Sequence, residues 1–447
     1  MATISQTTEF SIKELVLILS SGETYDISSV FDELNLYDNI FIPCITGNIL
    51  MNDGNNIGEK LSFDGKKITK LRVIIDKTKE EIPELRYEKE FVVYNMTHKQ
   101  NVNFTSQRYI LHFCSEEFIY SEQIKINEHF RGIYSDIVLK ILTNHLKVSN
   151  SPPKNGKAGI GIIDKTIENF FGEMPLSTPF NAINWICKRA ITPEDRIPDY
   201  IFFENHKTGY NFRSIKKIME TDPKFTINFN PKNLDNDINS EFLGARNVQI
   251  LSQYNSLKNI KNGSYAGRKV LFDTLTRTYQ YETLLEKDIH TTAVKDGKPN
   301  LPDGENKENS SYKQMYNSRV VAFPYSYPRK YETEYGDQTK YFKEHKNSDA
   351  IFFTTDGADN VEEYIYKRRP IFANFLQRRL QLVMPGNFGL MCGQIVFLSI
   401  PKYSIKSEDE YNDKTLSGKY MIIGTRHKLS YDKHETIIQV ATDKIQF

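Results

Sequence analysis

The chain has 447 residues, about three domains' worth at roughly 150 residues each. With 58 Lys plus Arg against 57 Asp plus Glu, the net charge is +1, which excludes a protein held to nucleic acid by bulk basic surface. Hydrophobic residues make up 39%, including 28 Phe and 26 Tyr, so wholesale disorder is excluded and the bias is towards strands.

The longest apolar run near the start, Leu15 to Leu19, has five residues. A secretory core needs about 7–15 and a membrane span about 20, so a soluble chain made in a cytoplasm is expected, with no membrane segment. Cys44, Cys114, Cys187 and Cys392 are far apart, without a C-x-x-C or a histidine at ligand spacing, and read as buried free thiols.

Residues 8 to about 120 read as strands and turns. Leu15–Leu19 is a strand followed by a turn at Ser20–Glu23, and Asp53-Gly54-Asn55-Asn56 and Asp64-Gly65 are hairpin-type signals. Across 131–147 the period changes: Ile133, Ile137, Val138, Ile141, Leu142 and Leu146 describe an amphipathic helix, ended by the loop Ser151–Gly156. A second helix has Thr178 as cap, Pro179 in its first position and Phe180, Ile183, Ile186, Cys187 and Ala190 as its stripe, with Pro193 as its stop. Strands return at Tyr200–Phe203 and Phe225–Phe229. Residues 290–350 are polar and read as surface loops. A third helix is expected from Pro370, giving way to alternating Leu380, Leu382 and Met384, with strands from 389 to 447.

The two strand-rich ends echo each other. Phe91-Val92-Val93-Tyr94-Asn95-Met96-Thr97-His98-Lys99 and Tyr420-Met421-Ile422-Ile423-Gly424-Thr425-Arg426-His427-Lys428 share four apolar positions, three linking positions and a His-Lys pair. Each is followed by another strand, Tyr109–Phe113 and Thr436–Val440. Upstream, Gly65 lies 26 residues before Phe91 and Gly393 lies 27 before Tyr420, which sets Ile68 against Val396. The echo predicts a duplicated β-module whose closing strands carry His98 and His427 in the same topology. Three such chains in a ring present six quasi-equivalent units, suited to a sixfold object on one side and a threefold object on the other.

Several stretches resemble the baseplate hub proteins of contractile-tailed phages and the related type VI secretion spike hub domains. Glu33 to Phe41 and Gly47 to Asp53 resemble their first barrel. Leu176 to Ile186 resembles their middle-domain helix, and Pro385 to Phe388, Gly393 to Val396 and Gly418 to Ile422 resemble their closing barrel. The pieces span most of the chain in order. The resemblance implies a homotrimer in the virion tail baseplate, assembled in the bacterial host cytoplasm, with a tail tube protein above, a central spike protein below and other baseplate proteins around it. The long segment 266–374 departs from a compact hub.

Enzyme constellations are thin. Gly156-Lys157-Ala158-Gly159-Ile160-Gly161 lacks Rossmann and P-loop spacing and reads as a plain flexible loop. Asp356-Gly357-Ala358-Asp359-Asn360 with Glu362 and Glu363 clusters oxygens of the kind hard cations take, but without the EF-hand pattern it reads as a polar turn. His427 with His434, and His98 with His112, fall across hairpins at ligand-like spacing, yet read as ordinary strand histidines. Lys367-Arg368-Arg369 and Arg378-Arg379 offer phosphate contacts, against which a solvated face or subunit ion pairs is the simpler reading, and no specific nucleic-acid binding is expected.

The expected fold is α+β and β-dominated. It has a first tube-like barrel over 1–120, a middle α+β domain over 121–240, the start of a second barrel over 241–265, a loop-rich insertion over 266–374 and the rest of the second barrel over 375–447. The expected function is a structural hub without catalytic, cofactor or metal residues. The alternatives are a tail-associated cell-wall hydrolase using acidic residues and a receptor-binding tail protein using the tyrosine-rich loops.

Overall fold

The computed structural model describes residues 10–61, 68–77, 85–103, 105–167, 169–229, 243–273, 277–285, 298–299, 317–325, 332–333, 336–337, 361–402, 412–413, 415–431 and 433–445. The chain is β-dominated, and most of its strands belong to one mixed sheet of fourteen.

The first seven strands are β1 (Ser11–Ile18), β2 (Thr24–Asp26), β3 (Phe31–Asn39), β4 (Thr46–Asp53), β5 (Thr69–Asp76), β6 (Arg86–Asn101) and β7 (Gln107–Ser115). Their order across the sheet is β3-β4-β7-β6-β5-β1-β2. Alternation explains them: Leu15, Leu17, Leu34, Leu36, Ile49, Met51, Leu71, Val73, Phe91, Leu111 and Phe113 all point into one buried core. Gly47 sits opposite Phe113, and a Cβ there would lie 2.3 Å from the Phe113 ring, so the aromatic fills the space that the glycine leaves. The signal at Asp53-Gly54-Asn55-Asn56 does not make a hairpin. The Asp53 carboxylate accepts from the Asn55 and Gly58 amides, both at 2.8 Å, and starts the short helix α1 (Ile57–Lys60). Asp64-Gly65 lies outside the described residues.

The middle of the chain contributes α2 (Glu116–Gln123), β8 (His129–Ile133), α3 (Tyr134–Lys140), β9 (Ile160–Ile163), β10 (Asn169–Glu173), α4 (Pro179–Cys187), β11 (Tyr200–Asn205), β12 (Gly209–Ser214) and α5 (Ile215–Glu220). Helix α3 begins later than its periodicity predicts, because Phe130 to Ile133 are taken by pairing with β10; it then widens into a π-type turn over Ile141–His145. Pro179 does open α4, but Thr178 makes no capping bond. Ser121 of α2 supplies it instead, its hydroxyl accepting from the Phe180 amide at 3.1 Å. The loop Gly156–Gly161 is packed rather than flexible: a Cβ on Gly159 would lie 2.0 Å from the Ser151 carbonyl oxygen.

Next come β13 (Phe225–Phe229), β14 (Gly244–Ala245), β15 (Asn247–Ser252), α6 (Ser256–Asn262), β16 (Ala266–Asp273), β17 (Thr278–Leu285), β18 (Lys298–Pro299), β19 (Val320–Tyr325), β20 (Glu332–Thr333) and β21 (Gly336–Asp337). Strand β13 lies inside the 121–240 segment but pairs with Val396–Ser399 of the large sheet, so the second strand set starts before residue 241. Within 266–374, β17, β16 and β19 form a three-stranded sheet of their own.

The chain finishes with α7 (Val361–Phe375), β22 (Arg378–Pro385), β23 (Ile395–Ser399), β24 (Gly418–Ser430), β25 (Lys433–Thr442) and β26 (Lys444–Ile445). Helix α7 does not start at Pro370 but runs through it. Proline has no amide to give the carbonyl four residues back. Arg319 replaces it, donating to the Tyr366 carbonyl at 2.9 Å and to that of Ile365 at 3.2 Å. No helix among the described residues is long and apolar enough to cross a membrane.

Candidate functional site

The strand order β15-β22-β25-β24-β23-β13-β14 repeats β3-β4-β7-β6-β5-β1-β2 position for position. In both sets the long strand holds a bulge in the same frame, between Val93 and Asn95 in β6 and between Ile422 and Gly424 in β24. His98 and His427 therefore lie on equivalent strands, as the echo predicts. Pairs match as well: Val93 faces Phe113 and Ile422 faces Val440, Met96 faces Leu111 and Thr425 faces Ile438. The upstream frame differs from the sequence alignment. Leu71 faces Phe91 as Val396 faces Tyr420, so Leu71 and not Ile68 is the counterpart of Val396.

A polar row repeats too. Asn35, Asn48 and His112 lie side by side across β3, β4 and β7, and Gln249, Gln381 and Gln439 across β15, β22 and β25. Asn35 donates to Asn48 at 2.9 Å, and Gln439 to Gln381 at 3.4 Å. The sets differ where size is traded between neighbours. Gly47 and Phe113 in the first correspond to Leu380 and Val440 in the second. Another difference is sense, since β1 is antiparallel to β5 whereas β13 is parallel to β23.

The candidate site is the seam where the two sets meet. Strand β24 pairs with β23 over Gly418–Met421, then leaves it and pairs with β3 over Gly424–Ser430. Leu429 enters the core of the first set there. Arg426 donates to Asn35 at 2.9 Å, and Lys428 lies 3.1 Å from Glu33. Burial pushes Glu33 up, but the hydrogen bonds from Asn35 and Lys428 outweigh it and hold the carboxyl below its ordinary value.

The middle segment is tied into the first set by a buried carboxylate, and Asp38 joins the two sets. Glu204 of β11 is buried in the first set, where it bonds Lys89 of β6 and accepts from the Ser115 hydroxyl at 2.5 Å and the Ile45 amide at 3.0 Å. Burial disfavours the Lys89 charge, yet the Glu204 and Glu117 carboxylates hold its pKa above the ordinary value. Asp38 of β3 accepts from the Cys392 amide at 3.3 Å, and burial raises its carboxyl to about 7.

The predicted pair His427 and His434 does come together, at 3.4 Å between Nδ1 and Nε2, joined by His206, Tyr87 and Phe388. Burial lowers all three histidines, His427 to about 3, and keeps them neutral. The void lined by Asp38, Tyr87, His206 and His427 admits no water-sized sphere, so these rings fill a core. His98 and His112 sit on either side of Thr97, whose hydroxyl is 3.1 Å from the first and 2.9 Å from the second. No group of three or more His, Cys, Asp or Glu among the described residues has the geometry to hold a metal. All four cysteines are free and buried.

Four of the five residues of the basic cluster bond neighbours within the chain, while Arg369 also stays exposed. The Arg368 guanidinium donates to the carbonyls of Cys187 at 2.6 Å, Tyr200 at 2.9 Å and Pro198 at 3.2 Å. Arg369 bonds Asn262, Arg378 the Thr415 carbonyl and Arg379 the Ser252 hydroxyl. They tie α7 and β22 to their neighbours, beside a cleft of about 480 Å³ lined by Phe41, Trp185 and Phe372. The Asp356–Glu363 cluster falls outside the residues whose side chains are described.

No family model and no curated protein matches the chain. Among solved structures it is similar to a tail protein from Neisseria meningitidis, at 10% identity over 97% of this chain and 98% of that one, with a TM-score of 0.49. It is also similar to a prophage tail protein from Shewanella oneidensis, at 8% identity over 97% and 100%, with a TM-score of 0.48. An E. coli component of the type VI secretion system matches at 8% identity over 97% of this chain and 76% of that one, with a TM-score of 0.40. These neighbours are described as tail proteins and as a component of the type VI secretion system.

Sequence reasoning found one strand of the seam, β24, through its echo with β6. It missed β3 as the partner, and it missed Glu204, Lys89 and Asp38. Glu204 alone carries a signal, a charge at the end of the apolar run Tyr200-Ile201-Phe202-Phe203, whereas Lys89 stands between Glu88 and Glu90 and Asp38 beside Asn39.

Proposed function

We propose that the chain is the structural hub of a contractile phage tail, a homotrimer adapting a hexameric tail tube to a trimeric central spike within the virion baseplate. In this reading residues 1–120 form one tube-like barrel, and the strands from Phe225 to 265 with 375–447 form the second. The segment between is the middle domain, and 266–374 is an insertion turned towards surrounding baseplate proteins. The work is interface burial, not catalysis.

One observation carries the reading: a single chain holds the same strand order twice, side by side, joined edge to edge. Barrel closure is supported by the way each first strand is bridged to the fourth. Ile27 donates to the Leu15 carbonyl and Asn52 to that of Val30, so the run from β2 into β3 touches β1 at one end and β4 at the other. In the second set β14 pairs with β13, and Arg246 donates to the Val383 carbonyl of β22 at 2.8 Å. Three chains then offer six similar modules to a sixfold tube while keeping threefold symmetry for a spike.

Light scattering on the pure chain, alone and mixed with candidate tube and spike proteins, tests this. Three chains of 52.0 kDa give a particle of about 156 kDa. A monomer that engages neither protein at any concentration removes the hub reading.

A further inference from the structure

The seam uses one edge from each strand set and, among the described strands, leaves the equivalent edge of each set open. Strand β24 has one side shared between β23 and then β3. Its counterpart β6 has that side covered by β5 over Arg86–Val93, and then, among the described strands, by nothing over Asn95–Asn101. Strand β3 receives β24 on the side away from β4. Its counterpart β15 pairs with β22 alone among the described strands, leaving Asn247–Ser252 open on that side.

Burial follows the same division. Ile423, the bulge residue of β24, is 3% exposed, and its counterpart Tyr94 is 53% exposed. Leu36 of β3 is 1% exposed, and its counterpart Ile250 is 46% exposed. Leu251 in β15, Tyr254 and Leu257 after it and Val102 beyond β6 are exposed as well. Apolar side chains at two open strand edges are an association surface unless something pairs with them.

We propose that β6 of one chain adds to β15 of a second copy of the same chain, antiparallel, in the register by which β24 adds to β3 within the chain. The proposal deepens the hub reading and rests on it for the number of copies, though not for the pairing. The occupant is a second copy because, among its described strands, each chain carries one open edge of each kind. The pairing geometry is already built once inside the chain, between equivalent strands. Such a contact is heterologous, so it closes a ring or grows a filament.

The register follows from the ladders. Lys428 faces Glu435 in β25, and Gln100 faces Arg108 in β7, two residues beyond the equivalent pairs Arg426–Ile437 and Thr97–Ile110. Gln100 is thus the counterpart of Lys428, and Gln249 is the counterpart of Asn35, which faces Lys428. A second bulge at His98, with φ of 53°, absorbs the one-residue difference. Gln100 of one copy therefore stands opposite Gln249 of the next. The ion pairs of the internal seam, Glu33 with Arg426 and Lys428, are replaced by Asn247, Thr97 and Gln100, so these positions carry no ion pair in this contact.

Disulfide trapping tests the register. Directly opposed residues in an antiparallel pair have Cα atoms about 4.5–5.5 Å apart, within disulfide range. The full chain carrying both Gln100→Cys and Gln249→Cys is oxidised and run without reductant, with each single variant and the wild-type chain as controls. Chain-to-chain links formed only by the double variant are expected, ending at three chains. A reversible charge test accompanies it, at two exposed positions whose change leaves the fold intact. Gln100→Glu with Gln249→Glu weakens association up to about fivefold, and Gln100→Lys with Gln249→Glu restores it.

A wild-type trimer that neither cross-links nor responds to the charge pairs overturns the edge pairing and leaves the hub reading standing. Cross-linked ladders longer than three chains support the pairing and overturn the trimer. A chain that stays monomeric and unlinked overturns both.

Discussion

The two strand sets share an order and a bulge, yet they are held differently. The first set surrounds a buried charge network reaching in from the middle segment, Glu204 with Lys89, Ser115 and the Ile45 amide. The second has apolar residues and the ring cluster of His427, His434 and Phe388 near the seam. One strand order therefore does not require one kind of core. What the sets have in common is where strands leave their neighbours, at the Val93–Asn95 and Ile422–Gly424 bulges, which sets where an edge becomes free to take another strand.

The largest effect that separates the sets is expected from Glu204→Ala. Removing one partner of a buried ion pair costs about 3–5 kcal/mol. A clear fall in the urea midpoint is expected, with the amides of β4, β6 and β7 losing hydrogen-exchange protection before those of β22 and β25. Equal loss in both sets would show that they do not differ in this way.

Next in size is the contrast between covered and open edges. Leu429→Ala, in the seam, removes a buried side chain and is expected to cost about 3 kcal/mol in urea unfolding of the chain. Ile250→Ala, on the open edge, changes the same quantity by less than about 0.5 kcal/mol in unassociated protein. Comparable losses at the two sites would mean that Ile250 is covered within the chain.

The smallest effect depends on pH. Asp38 has its carboxyl raised to about 7, so its contribution to stability is fully present below the unfolded value near 3.8 and is lost as pH rises through 7. Asp38→Asn keeps an acceptor for the Cys392 amide without the charge. It is expected to be more stable than the wild-type chain by about 2 kcal/mol at pH 8, and by less at pH 5. The three neutral histidines act in the opposite sense, losing stability as pH falls below about 6.5, and cancel when the two chains are compared at the same pH. An advantage that persists unchanged at pH 5 would count against the buried acid.

Much of the strand pattern was legible in the chain. The apolar run from Leu15, the strand candidates at Tyr200–Phe203 and Phe225–Phe229 and the alternation of Leu380, Leu382 and Met384 all lie in strands, the first of them ending at Ile18. Misreadings came where a distant group overrode a local signal. Arg319 let α7 pass through Pro370, Ser121 replaced Thr178 as the cap of α4, and β10 drew Phe130–Ile133 out of a helical period.

The amino-acid order by itself determined which residues alternate and that Phe91–Lys99 and Tyr420–Lys428 are versions of one strand, because side-chain periodicity and a repeated frame are local properties. Only the tertiary structure decided that β24 crosses from its own set to β3 and that β6 and β15 keep open edges among the described strands. Backbone amides and carbonyls make those pairings, and every residue other than proline carries the same ones, so no side-chain pattern marks which edge meets which.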